Sequence, residues 1–530
     1  MQKLLSLTVG FILGWLPYAI STAYELPAQP TEASFTLRRI EVVGSSILSP
    51  AEINQITAPF LNRSVTLTQL RQLADQITNI YQQRNYITSR AFIPPDQNLQ
   101  GGVVRIQVIE GSLERIEVTR VPGSPTRLND DYLRSRLELG AEPPLNFTRL
   151  EEELQLLRSD PLIAEIKASL ALGSEPSKSV LQVRFQEAPS FSANFSFDDY
   201  GNVSTGILRA GVVFQELNAS GIGDRLSVNY TRSGTGNGYG LSYTYPLNPR
   251  GGTLTYSFSG SYNPFTFGAT PPLRILTTSQ THELTYRQPL TRTVREEFAL
   301  SLGFAFESSF SSLDGVSFNF LDGTVGDGLS QARVLRLGQD YLRRDEQGAW
   351  ALRSTFNLGI GFLGASIRDN TADGRFLSWV GQILRVQRIG EERHTLAFLR
   401  LNFQFADGAL LSLNKFSIGG AQTVRGYRQN QNVGDNGIQG SVELQFPIVK
   451  DSDENPILKL LPFIDGGIVW NASGINPVPE TLFSIGVGAV YQPIRNLIFR
   501  LDVGIPLVNV NNPTPNLQDA GIHFSINGTF

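Results

Sequence analysis

Ala520-Gly-Ile-His-Phe-Ser-Ile-Asn-Gly-Thr-Phe530 reads as an extended strand with two unlike faces. Side chains alternate across a strand with period two, so Ile522, Phe524, Ile526 and Phe530 fall on one side and His523, Ser525, Asn527 and Thr529 on the other. An edge strand of a soluble sandwich carries such a pattern once; here it recurs. Leu254, Tyr256 and Phe258 alternate with Thr253, Thr255, Ser257 and Ser259, and Phe298, Leu300, Leu302, Phe304 and Phe306 with Ala299, Ser301, Gly303, Ala305 and Glu307. Leu399, Leu401, Phe403 and Phe405 do the same against Arg400, Asn402 and Gln404. A sandwich core cannot bury those small, polar and charged faces without partners, whereas a hydrated lumen accepts them. The pattern predicts a transmembrane β-barrel.

Working back from Phe530, sixteen antiparallel strands are predicted, from 190–200 to 520–530, an even number as closure of a bacterial barrel requires. Compact connections such as Leu247-Asn-Pro-Arg-Gly-Gly252 and Pro493-Ile-Arg-Asn496 are expected on the periplasmic side, and the longer 263–278, 309–329, 362–375 and 407–435 outside. A strand that ends on an aromatic residue resembles the closing strand of bacterial outer-membrane barrels. On that resemblance Phe530 is an assembly signal for the barrel-assembly machinery.

Composition agrees with a barrel in which only alternate residues meet lipid, since the mean hydropathy is −0.09. A formal net charge of −4 over 530 residues gives no reason to expect nucleic acid as a partner. Cysteine is absent, which removes disulfides, thiolate metal sites and thiol nucleophiles. His282, His394 and His523 fall on three separate predicted strands and are expected as solvated or lumen-facing side chains. No Ser-His-acid or metal-ligand constellation is visible, so the chain is not expected to be an enzyme or to hold a cofactor. No phosphate-cradling glycine motif points to nucleotide hydrolysis. Lys3, the apolar run Leu4 to Ile20 and Ser21-Thr22-Ala23 form the pattern of a secretory signal peptide over 1–23.

Residues 36–188 have a different rhythm. Leu37-Arg-Arg-Ile-Glu-Val42 is echoed by Leu113-Glu-Arg-Ile-Glu-Val118, which marks an internal repeat. In the first copy Ser49-Pro-Ala-Glu52 opens a helix, and Thr68 to Arg84 carries Leu70, Leu73, Ile77, Ile80 and Tyr81 at helical spacing; Val103 to Glu110 is its last strand. The second copy has helical stretches near Asp130–Leu139 and Phe147–Leu157 and a closing strand at Val180–Gln186. This strand-helix-helix-strand-strand order resembles that of POTRA domains, two small α+β modules at 36–111 and 112–188. A linker, 24–35, precedes them, and the barrel occupies 189–530.

The segment Phe416-Ser-Ile-Gly-Gly-Ala-Gln-Thr-Val424-Arg425-Gly426-Tyr427 lies in the sixth outer loop by the strand count, and Phe463-Ile-Asp465-Gly-Gly467 lies two strands later. Together these resemble the two-partner secretion transporters, the hemolysin secretion/activation family (TpsB), with their Val-Arg-Gly-Tyr and Phe-x-Asp-x-Gly motifs. The resemblance covers essentially the whole mature chain. It implies that the sixth loop folds inward over 407–435 and that Arg425 pairs with Asp465, with Gly426 giving the loop backbone room and Tyr427 covering the pair. Alternation also aims Glu443 inward, as a competing or shared partner of Arg425. Members of the family often carry a plug helix; Tyr24–Thr36, with Pro27 and Pro30, is too short for both helix and linker, so gating is expected to rest on the loop.

By the same resemblance the protein exports a large unfolded partner exoprotein (TpsA-like) through a barrel set in outer-membrane lipid, after capture by periplasmic POTRA domains. An insertase that folds other barrels is the alternative, and a passive porin a more distant one, since a porin does not need the repeats.

Overall fold

The computed structural model describes residues 33–268, 271–320, 324–368, 372–392, 394–512 and 514–530. The expected signal peptide and most of the linker lie outside them. Two compact units are present: one formed by the described residues up to Gln83 with Ser89–Ile109, the other by Arg84–Thr88 with Glu110–Phe530.

In the first unit, Arg39–Val43 runs parallel to Val103–Ile109, which pairs antiparallel with Arg90–Phe92, while Ser34–Leu37 pairs with Arg63–Thr66. Helix α1 (Pro50–Thr57) starts with a reciprocal cap in which Ser49 Oγ accepts from the Glu52 amide at 3.3 Å and Glu52 accepts from the Ser49 amide at 2.8 Å. Helix α2 (Leu67–Gln83) buries Leu70, Leu73, Ala74, Ile77 and Tyr81, one stripe at the spacing read from the sequence. Each such large apolar side chain contributes about 1.5–3 kcal/mol on burial.

The second unit begins with Ser112–Arg120, α3 (Asp130–Leu139), α4 (Phe147–Arg158), Ile163–Leu172 and Lys178–Glu187, the expected order of elements. Its sheet places Lys178–Glu187 between the other two strands, over a core built from Leu128, Leu133, Leu137, Leu150, Leu157 and Phe185.

The remainder is a closed barrel. Its first eight wall strands are β1 (Phe191–Asp198), β2 (Arg209–Glu216), β3 (Arg225–Ser233), β4 (Gly236–Pro246), β5 (Thr253–Phe267), β6 (Leu273–Arg292), β7 (Glu296–Leu313) and β8 (Leu329–Asp345). The other eight are β9 (Gly348–Gly359), β10 (Phe376–Arg388), β11 (Leu396–Ala406), β12 (Asn436–Lys450), β13 (Pro456–Trp470), β14 (Thr481–Ile494), β15 (Leu497–Pro506) and β16 (Ile522–Thr529). All neighbours pair antiparallel, and β16 closes onto β1. Tyr256, Leu284, Leu302, Leu399, Phe405 and Ile464 stand exposed on the outside, as a lipid-facing band requires, while Glu307, Glu443 and Asp465 are buried inside.

Two of the expected outer loops are much shorter than the sequence suggested. β5 and β6 stay paired out to Phe267 and Leu273, and β7 runs to Leu313 before a small hairpin, Val316–Asn319 with Thr324–Val325. Beyond the lipid band both faces of these strands meet water, so the apolar alternation fades although the backbone ladder continues. Two of the three histidines differ from expectation, while His523 keeps the expected lumen side. His394 lies on the turn before β11; His282 is on the outer face beside Tyr256 and Phe258, its Nδ1 2.9 Å from the Tyr256 hydroxyl; His523 is fully buried.

The turn 217–224, between β2 and β3, packs on the second module. Arg127 donates to Glu216 at 3.0 Å and to the Asn218 carbonyl at 2.9 Å, the Asn129 amide donates to the Gly221 carbonyl at 2.7 Å, and Leu217 joins the module's core. The short turns therefore lie on the module side and the long loop 407–435 on the far side.

Candidate functional site

The sixth outer connection turns back into the barrel on a short hairpin, Phe416–Ile418 paired with Asn432–Gly434. Its base is tied to the rim by Asp435, which accepts from the Leu410 amide at 2.9 Å and the Ala472 amide at 3.0 Å and pairs with Lys415 at 3.0 Å. Val424 sits in an apolar cluster with Ile418, Tyr427, Val469 and Leu482. This cluster delivers the next residue, Arg425, to the lumen wall at 4 % exposure.

Arg425 faces the inward residues of three strands, β12, β13 and β15. Its Nε donates to Asp465 Oδ2 at 2.7 Å and Nη2 to Oδ1 at 2.9 Å, a two-pronged contact in which each guanidinium nitrogen meets one carboxylate oxygen. Its backbone amide adds a third bond to Oδ2 at 3.1 Å. Nη1 reaches Glu443 at 2.6 Å and Asp502 at 3.3 Å, and Nη2 is 3.4 Å from Ser441 Oγ. The Phe463 ring lies beneath the guanidinium, 3.4 Å from carbon to centroid. Arg500 completes the cluster, with bonds of 2.7 Å to Glu443 and 2.6 and 2.9 Å to Asp502.

The structure thus brings Arg425, Asp465, Glu443 and Phe463 together. Glu443 is shared between two arginines. Tyr427 does not cover the pair, a role taken by Phe463. Its hydroxyl instead lies 2.8 Å from the Phe483 carbonyl oxygen and accepts from the Val508 amide at 3.0 Å, because the apolar cluster draws its ring toward β14. Gly467 lies beside the hairpin, where a Cβ would stand 3.1 Å from Ile418 Cγ2. Gly426 has φ +94° and rests on Gly504 of β15, so the loop backbone touches the wall backbone.

Sequence reasoning missed Asp502, Arg500, Ser441, Gly504 and His523. A signal was present, since Arg500-Leu-Asp502-Val-Gly504 puts a cation, an anion and a glycine on one face at period two. The Gly426 amide points at His523 Nε2, 3.4 Å away, and Nδ1 is 3.5 Å from Asp199 Oδ2. A ring that accepts at Nε2 carries its proton on Nδ1, facing that carboxylate. Farther out, Arg428 pairs twice with Asp519 at 2.7 Å. Burial alone raises the Asp519 carboxyl, but the Arg428 guanidinium and the Asn516 amide hold it below its ordinary value.

Phe530 closes the wall. Its amide and carbonyl both pair with Ala193, at 2.9 and 2.8 Å, and its ring meets Phe195 edge-on at 5.9 Å. Deleting Phe530 is expected to lower the amount of folded, heat-modifiable protein in the outer membrane, whereas Phe530→Ala, which keeps both backbone bonds, should lower it less. An unchanged folded fraction after deletion would count against a part for this residue in assembly.

A sixteen-stranded barrel with an arginine-tipped loop seated in its lumen, preceded by small α+β modules, defines an outer-membrane transporter. The chain belongs to the haemolysin secretion/activation protein family: the model of Haemolysin secretion/activation protein ShlB/FhaC/HecB matches residues 177–490, and that of the ShlB-type POTRA domain matches residues 35–111. It is 26 % identical over 493 residues to the outer membrane transporter CdiB of Dickeya dadantii, covering 89 % of this chain and 83 % of that one. To the hemolysin transporter protein ShlB of Serratia marcescens it is 22 % identical over 445 residues, covering 79 % and 74 %. Among solved structures, CdiB from Escherichia coli shares the fold with a TM-score of 0.70 at 22 % identity over 96 % of this chain and 92 % of that one.

Proposed function

We propose that the protein exports a secreted partner protein across the outer membrane, taking it up with the two periplasmic modules at 36–111 and 112–188 and passing it, unfolded, through the barrel at 189–530 without nucleotide hydrolysis. The observation that carries this reading is the seated loop. Arg425 holds the loop against the lumen wall through contacts that side-chain and backbone motion can undo, which suits a pore opened by its cargo. Exposed strand edges of the modules suit capture of an extended chain, since pairing to an edge works largely through backbone hydrogen bonds. Outer-membrane lipid surrounds the barrel, and the barrel-assembly machinery inserts it.

Depletion tests the reading. Loss of one secreted protein with an unchanged outer-membrane composition is the expected result; a general loss of barrel proteins would assign the chain to barrel insertion instead. A variant lacking 36–188 is expected to insert a heat-modifiable barrel and to secrete nothing. The turn 217–224 that this deletion uncovers is held by its own bonds, with Ser220 donating to Asp224 at 2.8 Å and Gly223 to Asn218 at 2.9 Å, so the wall survives. Normal secretion by that variant would sink the division of labour.

A further inference from the structure

We propose that the junction between the second module and the barrel mouth is a binding site for acidic side chains of an extended polypeptide; that this polypeptide is the exported one rests on the export reading. A cleft of about 430 Å³ opens there between α3, the turn after α4 and the inner ends of β3 to β7. Four arginines line it, Arg136, Arg225, Arg287 and Arg292, against two carboxylates, Asp160 and Glu297. Both carboxylates are already engaged: Asp160 accepts the Tyr132 hydroxyl at 2.7 Å and Glu297 the Arg287 guanidinium at 2.6 Å. Among the described residues, Arg136, Arg225 and Arg292 form no ion pair.

Arg136 is held ready for an anion. Its guanidinium carbon lies 3.4 Å from the centroid of the Tyr132 ring, Nη1 donates to the Tyr132 carbonyl at 2.8 Å, and Nε is buried with no partner. Burial works against its charge, and no carboxylate is close enough to offset that fully. Glu153 lies in an adjoining recess with Arg250 and Arg292; burial pushes its carboxyl up, and the Arg292 charge works against that rise.

Period two decides which anion can arrive. Val228 and Tyr230 of β3, and Leu284 and Tyr286 of β6, face lipid, so Arg225 and Arg287 face the lumen, and Arg292 lies opposite lumen-side Glu297 in the ladder. Lipid phosphates are on the other side of the wall. What reaches this side is a chain on its way from the module into the pore. In such a chain carboxylates at alternate positions share one face, and guanidiniums grip carboxylates two-pronged.

The test uses the full chain in phosphatidylcholine nanodiscs and a fluorescent Glu-Ser repeat peptide beside its Gln-Ser twin. At low ionic strength the acidic peptide is expected to bind about tenfold tighter or more, with the difference shrinking as salt is added. Arg225→Gln with Arg292→Gln, two changes outside the module core, should abolish the preference, and so should Arg136→Gln if heat-modifiability and module protease resistance show it folded. Equal binding of the twins, or a preference that survives Arg225→Gln with Arg292→Gln, overturns the proposal. Loss of the preference in phosphatidylglycerol discs also overturns it, by assigning the arginines to lipid headgroups. Depletion reads export alone, so either result can fail while the other stands.

Discussion

Arg425→Ala is expected to reduce secretion to background while the barrel remains folded and inserted. The reason is an asymmetry in the cluster. Glu443 and Asp502 keep Arg500 when Arg425 is removed, but among the described residues every hydrogen bond to the Asp465 carboxylate comes from Arg425, and Asp465 is fully buried. Truncating one member of such a pair costs on the order of 3–5 kcal/mol, less where water enters the lumen. That cost falls on the loop seat, not on the ladder of the wall, so function is lost before structure. Asp465→Ala should resemble it, and a double-mutant cycle read by secretion should show strong non-additivity. Coupling between Arg425 and Glu443 should be weaker, because Arg500 retains Glu443. Arg425→Lys should rescue poorly, since an ammonium cannot reproduce the fork. Full additivity of the Arg425 and Asp465 losses would mean that the contact does no work, and Glu443 would be the next partner to test.

Gly504→Ala should displace the loop with every charge still in place. A Cβ on Gly504 would stand 2.7 Å from the Gly426 nitrogen and 2.8 Å from the Arg425 carbonyl carbon, and backbone cannot swing aside as a side chain can. One methyl group therefore pushes the arginine off its acids. Because the natural chain has no cysteine, Thr423→Cys gives a single reporter on the loop. Thiol labelling from outside the cell should be slow in the otherwise native protein and fast when Gly504→Ala is added. Gly440→Ala, whose Cβ would have nothing nearer than 3.9 Å, serves as the control and should label slowly. Equal labelling of both variants, with secretion intact, would mean that the loop does not rest on β15.

The wall strands were legible because lipid and lumen impose opposite chemistry on alternate residues, and that contrast survives in any single strand, as in Leu254 to Ser259. Asp465 and Glu443 were legible as inward carboxylates for the same reason. Alternation says which face a residue occupies but not which residues across the lumen share a level, since that depends on the register of every intervening pair. Hence Asp502 and Arg500 could be seen facing inward without being placed beside Arg425. The long β5 to β7 extension was hidden because Ser- and Thr-rich pairing above the membrane looks like loop. Docking of the turn 217–224 on the second module rests on backbone carbonyls, which composition does not reveal. Leu217, an apolar residue in a turn, was its one visible sign.

Three carboxylates meet two guanidiniums at the loop seat, so the lumen wall without its loop has an unpaid negative charge at Asp465. An empty pore of this kind does not idle open. Each ~1.4 kcal/mol of attraction between the wall and the returning arginine makes the vacant state tenfold rarer, and the attraction acts as soon as the passage is clear. On the export reading, resealing is therefore expected to need no fuel and no second protein, and the envelope's loss of small solutes to be limited to the time during which a chain is threaded.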